Sequence, residues 1–385
     1  MRILWRIALA ATLTGVLTAC IAPVATAGNT SSIALIGSQN SNGWRFDTYR
    51  NTAYPCSLSG YQTFAIATKV GSSATATKPL WVFLRGGGVG YFDAAGNPRP
   101  SAANKTEETA ASLQNRLVTG DVMQLVRNDP AGFRMLSVSM CDHDIYAGPN
   151  IADPNNPNTT PDGKARTVNG LFATKAAIQF ARALYPTDDS FLHGGSAGSY
   201  GAITVGWALQ QQGIAPTGVI ADSGVVNQPW EQAMVDQQIC PTGRDREALV
   251  EVPKRLHPDV TNPANQPDLL VSSGRLTVPI LQVWSRADNN QCGSVSMACP
   301  RADGTVVSLG AADCMHEPLR AAIAAQGPTG RSTNMRLCVD EPSVAGDCDR
   351  HVSTSATGLV NTDPAWPANY SQAVLDWVHV RLADT

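Results

Sequence analysis

Apolar and polar positions alternate along this chain in two different rhythms. The runs "TFAIATKV" (63–70), "PLWVFLR" (79–85) and "RMLSVSMC" (134–141) are rich in β-branched and aromatic residues and read as strands. A polar helix is predicted over 104–117. The segment "VNGLFATKAAIQFARALY" (168–185) repeats its apolar residues at three-and-four spacing, which predicts an amphipathic helix ending before Pro186. Then come a strand "SFLHG", a helix "YGAITVGWALQQQ", strands "TGVIAD" and "VPILQVWS", and a closing helix "YSQAVLDWVHVRLA". Strands that alternate with helices predict an α/β fold: a mostly parallel central sheet with helices on both faces. No repeat interrupts the pattern, and the Pro/Asn-rich stretch 150–165 reads as a loop within the fold.

Composition narrows the class. The chain has 385 residues, 43% hydrophobic and 15% charged, enough to bury a large core, and a net charge of −3. No run of Lys or Arg could track a phosphate backbone, which excludes nucleic acid as a partner. Arg2 and Arg6 followed by "IALAATLTGVLTA" form an export signal within residues 1–27, leaving 28–385 as one catalytic domain. Two processing sites compete: a lipoprotein-type cleavage before Cys20, and signal peptidase cleavage after Ala27. The first would tether the protein to a membrane through a lipidated Cys20; the second would release it as a secreted or periplasmic protein. Setting Cys20 aside, eight cysteines remain, which in an exported chain predicts up to four disulfides. Zinc is disfavoured by the lack of paired CxxC or HxxxH spacing. Asp142, His143 and Asp144 are adjacent, but on a strand end they would alternate in direction, so a loop-packing role is expected there rather than a metal site.

One motif carries chemistry. In "SFLHGGSAGSYGA" (190–202) a strand runs into glycines with Ser196 at their centre, and a helix follows. Gly194 and Gly198 give the G-x-S-x-G pattern of a nucleophile elbow, where a strained turn exposes the serine at the carboxyl end of a strand. Ala197 would then supply an oxyanion amide. A glycine-rich turn with an incidental serine is the plainer alternative, disfavoured by the flanking strand and helix. A second glycine cluster, "WVFLRGGGVGYFD" (81–93), ends a strand with bare backbone at Gly87, Gly88 and Val89. Such backbone can approach a developing negative charge closely. It does not fit G-x-G-x-x-G, which argues against a dinucleotide site. An acid and a histidine should follow the serine in that order. Asp222 and Asp288 both lie at strand ends, and His316, His351 and His379 follow them.

The set "FLRGGG", "GGSAG", "ADNNQC" and the Cys-flanked His351 resembles the pectin acetylesterase family, which includes the Notum-type carboxylesterases. "MCDHDIYAG" (140–148) and "YSQAVLDWV" are similar to further parts of it, so the likeness runs from about Cys56 to the last helix. The resemblance implies an α/β-hydrolase fold stabilised by disulfides, with Ser196 as nucleophile, Asp288 as triad acid and His351 as base, held beside a disulfide at Cys348. Gln291, three residues after Asp288, also fits. Gly87, Gly88, Val89 and Ala197 become the oxyanion donors, and Asp222 a strand-end residue beside the site. The implied activity is hydrolysis of short acyl esters, acetyl above all, on a polysaccharide such as pectin, with no cofactor or metal. One departure stands out. The family has an acidic residue before the glycines and Trp-Cys after them, whereas this chain has Arg85, Val89 and Gly90. A lipase, polyester depolymerase or amidase on the same fold, or a non-catalytic binding protein, are the competing readings.

Overall fold

The computed structural model describes residues 22–99, 105–239, 246–293, 295–301, 304–337, 349–353, 356, 357, 359, 365–367 and 369–384. Residues 1–21, which hold most of the export signal expected over 1–27 and Cys20, lie outside these residues, as do Cys240, Cys338 and Cys348, and so does the proposed disulfide beside His351.

A nine-stranded sheet organises the chain. Its strands are β1 (Ile33–Ser41), β2 (Trp44–Pro55), β3 (Tyr61–Lys69), β4 (Leu80–Leu84), β5 (Arg134–Val138), β6 (Ser190–Gly195), β7 (Gly218–Asp222), β8 (Ile280–Ser285) and β9 (Thr333–Leu337). Their spatial order is β1-β2-β3-β5-β4-β6-β7-β8-β9. The pairs β1–β2, β2–β3 and β3–β5 are antiparallel, and every later pair is parallel. The exchange of β4 and β5, the parallel core and the strand-to-helix serine turn make this an α/β-hydrolase fold.

The parallel strands β4, β5, β6, β7 and β8 are buried along their whole length, as continuous apolar runs in a doubly covered sheet should be. Helices around the sheet include α1 (Ala110–Arg116), α2 (Asp121–Asn128), α3 (Gly170–Leu184), α4 (Ala197–Gln211), α5 (Gln228–Asp236), α6 (Arg246–Glu251), α7 (Ala311–Ala324) and α8 (Tyr370–Ala383), with two short helical turns at Pro258–Thr261 and Pro267–Ser272. One core joins Leu171, Ile178, Val205, Trp230 and Leu319, from α3, α4, α5 and α7, to one face of the sheet. A second joins Val122, Val126, Val374 and Trp377, from α2 and α8, to the other. Two disulfides close loops, Cys56–Cys141 and Cys299–Cys314, and Cys292 is disulfide-bonded as well.

The predicted helix over 104–117 is shorter than expected, beginning at Ala110 with Thr109 as its N-cap. Lys105 and Glu108 sit in extended chain ahead of it because both are buried and partnered elsewhere. The 150–165 stretch is a loop, as expected, pinned by the pairing of Ile151–Ala152 with Thr167–Val168.

Candidate active site

Strand register brings the reactive loops together. Leu84 of β4 lies opposite Gly194 of β6, Gly195 opposite Asp222 of β7, and Asp222 opposite Val283 of β8. The chain therefore leaves four neighbouring strands at the same height, and Arg85, Ser196, Ser223 and Asp288 emerge side by side.

Ser196 adopts φ 54° and ψ −121°, a left-handed backbone uncommon for any residue with a Cβ. The surrounding glycines make that turn possible. A Cβ on Gly194 would stand 1.9 Å from the carbonyl of Gly198, and one on Gly198 would stand 1.9 Å from the carbonyl of Leu84. The turn is pinned by the Ser196 amide, which donates to Asp222 O at 2.8 Å.

His351 Nε2 lies 2.8 Å from Ser196 Oγ, and its Nδ1 lies 2.8 and 3.0 Å from the two oxygens of Asp288. Asp288 is fully buried and also accepts the amide of Asn290 at 2.9 Å. The three sequence candidates therefore form one connected Ser-His-Asp array. A carboxylate on Nδ1 selects the tautomer with a proton there, which leaves Nε2 to accept from the serine hydroxyl.

The remaining candidates separate. Asp222 is buried behind the site, where its carboxylate accepts from the Ser223 hydroxyl at 2.8 Å. Ser223 in turn accepts the amide of Val352, next to His351, at 3.1 Å. Gln291 donates to Ser223 O at 2.6 Å and so ties the Asp288 loop to the same residue. His316 stacks on Trp284 inside α7, where burial lowers its pKa to about 3. His379 is on the surface of α8, 2.6 Å from Asp129.

The glycine loop lines the same cavity as Ser196 and His351. A Cβ on Gly86 would meet Ser196 Cβ at 2.9 Å, so only a glycine lets the loop come this close. Gly87 (φ 146°) and Gly88 (φ 72°) occupy backbone regions that other residues avoid. Among the described residues, the amides of Gly87, Gly88, Val89 and Ala197 donate to no protein acceptor. Unpaired N–H groups beside a serine are what an anion site requires.

The cavity measures about 1520 Å³. Its walls are mainly apolar, with Phe83, Val89, Tyr91, Ile145, Tyr200 and Leu249 among them, and Gln228, Glu231 and Asn115 add polar points. Arg85 and Arg116 also reach it, both paired with the buried Glu108. Burial alone would raise the Glu108 pKa, but the two guanidinium groups outweigh it and hold the carboxyl below its usual value. Arg85, just before the glycines, is thus neutralised by a carboxylate from outside the loop, that of Glu108. No cluster of metal-ligating side chains occurs among the described residues.

No protein-family model and no curated protein matches the sequence. Solved structures similar in fold include a protein described as an acetyl xylan esterase from Bacteroides fragilis. It is 15% identical, with 93% of this chain and 84% of that chain covered and a TM-score of 0.47. Notum, a Wnt deacylase from Drosophila, is 13% identical over 91% of this chain and 94% of its own, with a TM-score of 0.48. A bacterial brefeldin A esterase is 12% identical over 92% and 78%, with a TM-score of 0.40. Likeness at this distance transfers no chemistry, so a function has to be argued from the site itself.

Proposed function

We propose that the protein is a serine carboxylesterase, and the observation that carries this reading is the 2.8 Å contact of Ser196 Oγ with an imidazole whose other nitrogen rests on a buried carboxylate. His351 Nε2 takes the hydroxyl proton as Oγ bonds to the ester carbonyl carbon, and the carbonyl electrons move onto oxygen. The amide of Ala197 and those of the glycine loop receive that oxyanion. The bond to the leaving alkoxide then breaks, and His351 hands its proton to it. Water repeats the sequence on the acyl-enzyme and frees Ser196. No metal or cofactor enters any step.

Short acyl esters, acetyl first, on a polysaccharide such as pectin are the substrate that the family resemblance implies. The cavity favours a second reading. At about 1520 Å³ it exceeds the roughly 300–1,000 Å³ of ordinary ligand pockets. Its mainly apolar wall suits a longer acyl chain or a bulky apolar alcohol better than a sugar chain. Export fits both readings: the disulfides suit an oxidising compartment, and no described helix is long and apolar enough to cross a membrane.

The test is turnover of p-nitrophenyl acetate, butyrate and octanoate beside release of acetate from acetylated pectin, each with Ser196→Ala as control. Activity abolished by Ser196→Ala supports the esterase; activity that survives it, or none in folded wild type, overturns it. A profile peaking at octanoate with pectin untouched selects the apolar-ester reading.

A further inference from the structure

The glycine loop is held from behind. Three successive carbonyls, of Arg85, Gly86 and Gly87, each accept from a different side chain. Tyr146 Oη donates to Arg85 O at 3.3 Å, Arg85 Nη1 to Gly86 O at 2.8 Å, and His143 Nδ1 to Gly87 O at 3.2 Å. The loop's far end is tied to the same place, because the Gly90 amide donates to His143 O at 2.8 Å. Arg85 is fixed in turn by Glu108, whose Oε1 accepts its Nε at 2.8 Å and the Met140 amide at 3.2 Å.

In a trans peptide the N–H of one residue points opposite to the carbonyl of the residue before it. Anchoring Gly86 O therefore sets the direction of the Gly87 amide, and anchoring Gly87 O sets that of Gly88. Glycines with φ of 146° and 72° have no side chain to resist rotation, so without such anchors their peptides would turn freely. The tautomer is consistent throughout: with the proton on Nδ1, His143 Nε2 is the acceptor that faces Arg85 Nη2 at 3.5 Å. Burial holds the Tyr146 phenol well above its ordinary pKa, so its hydroxyl stays a donor.

We propose that His143 and Arg85 are positioning residues of the oxyanion site, a clamp that aims the Gly87 and Gly88 amides by gripping the carbonyls behind them, while Tyr146 holds the Arg85 carbonyl where the loop begins. The claim rests on the esterase reading above. It also explains why "CDHDIYAG" places three consecutive polar residues in one loop. Asp142 and Asp144 accept the Asn169 and Gly170 amides at the start of α3 at 3.0 and 2.7 Å, fixing the loop, while His143 turns toward the glycines.

The experiment compares wild type with His143→Ala, His143→Asn and His143→Gly in p-nitrophenyl ester hydrolysis and in binding of a trifluoromethyl ketone, which forms an oxyanion on the serine. Asparagine tolerates the left-handed backbone at His143 (φ 53°) and keeps an N–H where Nδ1 lies. His143→Ala should lower kcat about 10- to 100-fold, less than outright loss of an oxyanion donor, with KM within about threefold. The ketone should weaken by the same factor, and His143→Asn should recover most of both. A loss confined to KM, or equal losses in folded Ala and Asn variants, overturns the clamp. Should the alanine variant fail to fold, His143→Gly decides, since glycine suits the φ of 53° and carries no donor: a fall in kcat matched by weaker ketone binding supports the clamp, and no change overturns it. If wild type itself turns over no ester, the esterase reading fails separately, and hydrogen exchange judges the clamp. The Gly90 amide, bonded to His143 O, should exchange faster in the variant that folds, and unchanged exchange overturns it.

Discussion

The backbone amide of Val352 donates to the hydroxyl of Ser223 at 3.1 Å, one residue beyond His351. Ser223 itself sits at φ 61° directly after β7 and donates to Asp222. This joins the histidine loop to the sheet through a single hydroxyl. Ser223→Ala should lower kcat about 2- to 12-fold, the rate equivalent of a hydrogen bond worth roughly 0.5–1.5 kcal/mol. KM should barely move, because Ser223→Ala keeps the cavity's shape. Steady-state kinetics of the folded variant check this, and a pure KM effect would contradict it.

Asp288→Asn tests the array from the other end. An amide in place of the carboxylate can present an N–H to Nδ1 and favour the wrong imidazole tautomer. A loss in kcat of about 10⁴-fold is expected, with substrate binding retained. His351→Ala should cost at least as much. Neither loss should add to that of Ser196→Ala, since the three groups act as a unit. An Asp288→Asn enzyme within tenfold of wild type would remove Asp288 from the mechanism.

Gly198→Ala addresses the turn rather than the chemistry. The new Cβ would stand 1.9 Å from the Leu84 carbonyl, which is backbone and cannot swing aside. The variant should lose more than the roughly 1–3 kcal/mol of ordinary overpacking and should misplace Ser196 as well. Gly213→Ala is the control, since its Cβ would meet nothing within 4 Å, although its φ of 74° brings a small strain of its own. Urea unfolding of the two variants gives the comparison.

The same geometry shows what the sequence could carry. The elbow was legible because G-x-S-x-G encodes steric contacts at fixed spacing, and the parallel strands because apolar runs mark double burial. Asp288 and His351 were open among alternatives until the family resemblance chose them, since loop residues that meet at a site leave no periodic trace. Strand β1 went unread: "IALIGSQNS" is exposed along nearly its whole length, so it has no buried face to produce alternation. The clamp was invisible for a different reason. His143, Ile145 and Tyr146 all take positive φ, and a strand-like alternation rule sends their side chains the wrong way.

Two buried histidines set the acid limit. Burial lowers the pKa values of His193 and His316 to about 3, against 6.5 for a solvated imidazole. Between pH 6.5 and 3 the unfolded chain therefore binds more protons than the folded one. Stability fully present above pH 6.5 should fall progressively as pH drops through that window. Urea midpoints at pH 7.5, 5.5 and 4.5 check the slope. His316→Asn can keep an acceptor for Gln282, which approaches Nδ1 at 2.9 Å, and should flatten part of it. An unchanged slope would mean that other groups dominate acid unfolding.

Lys175 makes the last prediction, about where the folded protein begins. It is fully buried in α3, and its ammonium donates to Val24 O at 2.6 Å and Thr26 O at 2.5 Å. His257 Nε2 lies 2.8 Å from Ala22 O, Val24 is buried in the main core, and Gln212 also donates to Thr26 O. Burial already lowers the Lys175 pKa to about 8, so a charge left there without acceptors is costly. A protein starting at Gly28 should therefore unfold more easily than one starting at Ala22, by several kcal/mol if each charged hydrogen bond is worth about 1.5–3. Lys175→Met should restore much of that loss in the shorter chain and none in the longer. Mass spectrometry of the protein isolated from cells and culture medium supplies the complementary measurement. A mature chain retaining Ala22–Ala27 agrees with the processing site before Cys20, whereas a stable mature chain beginning at Gly28 would show that the Lys175 site is filled in some other way.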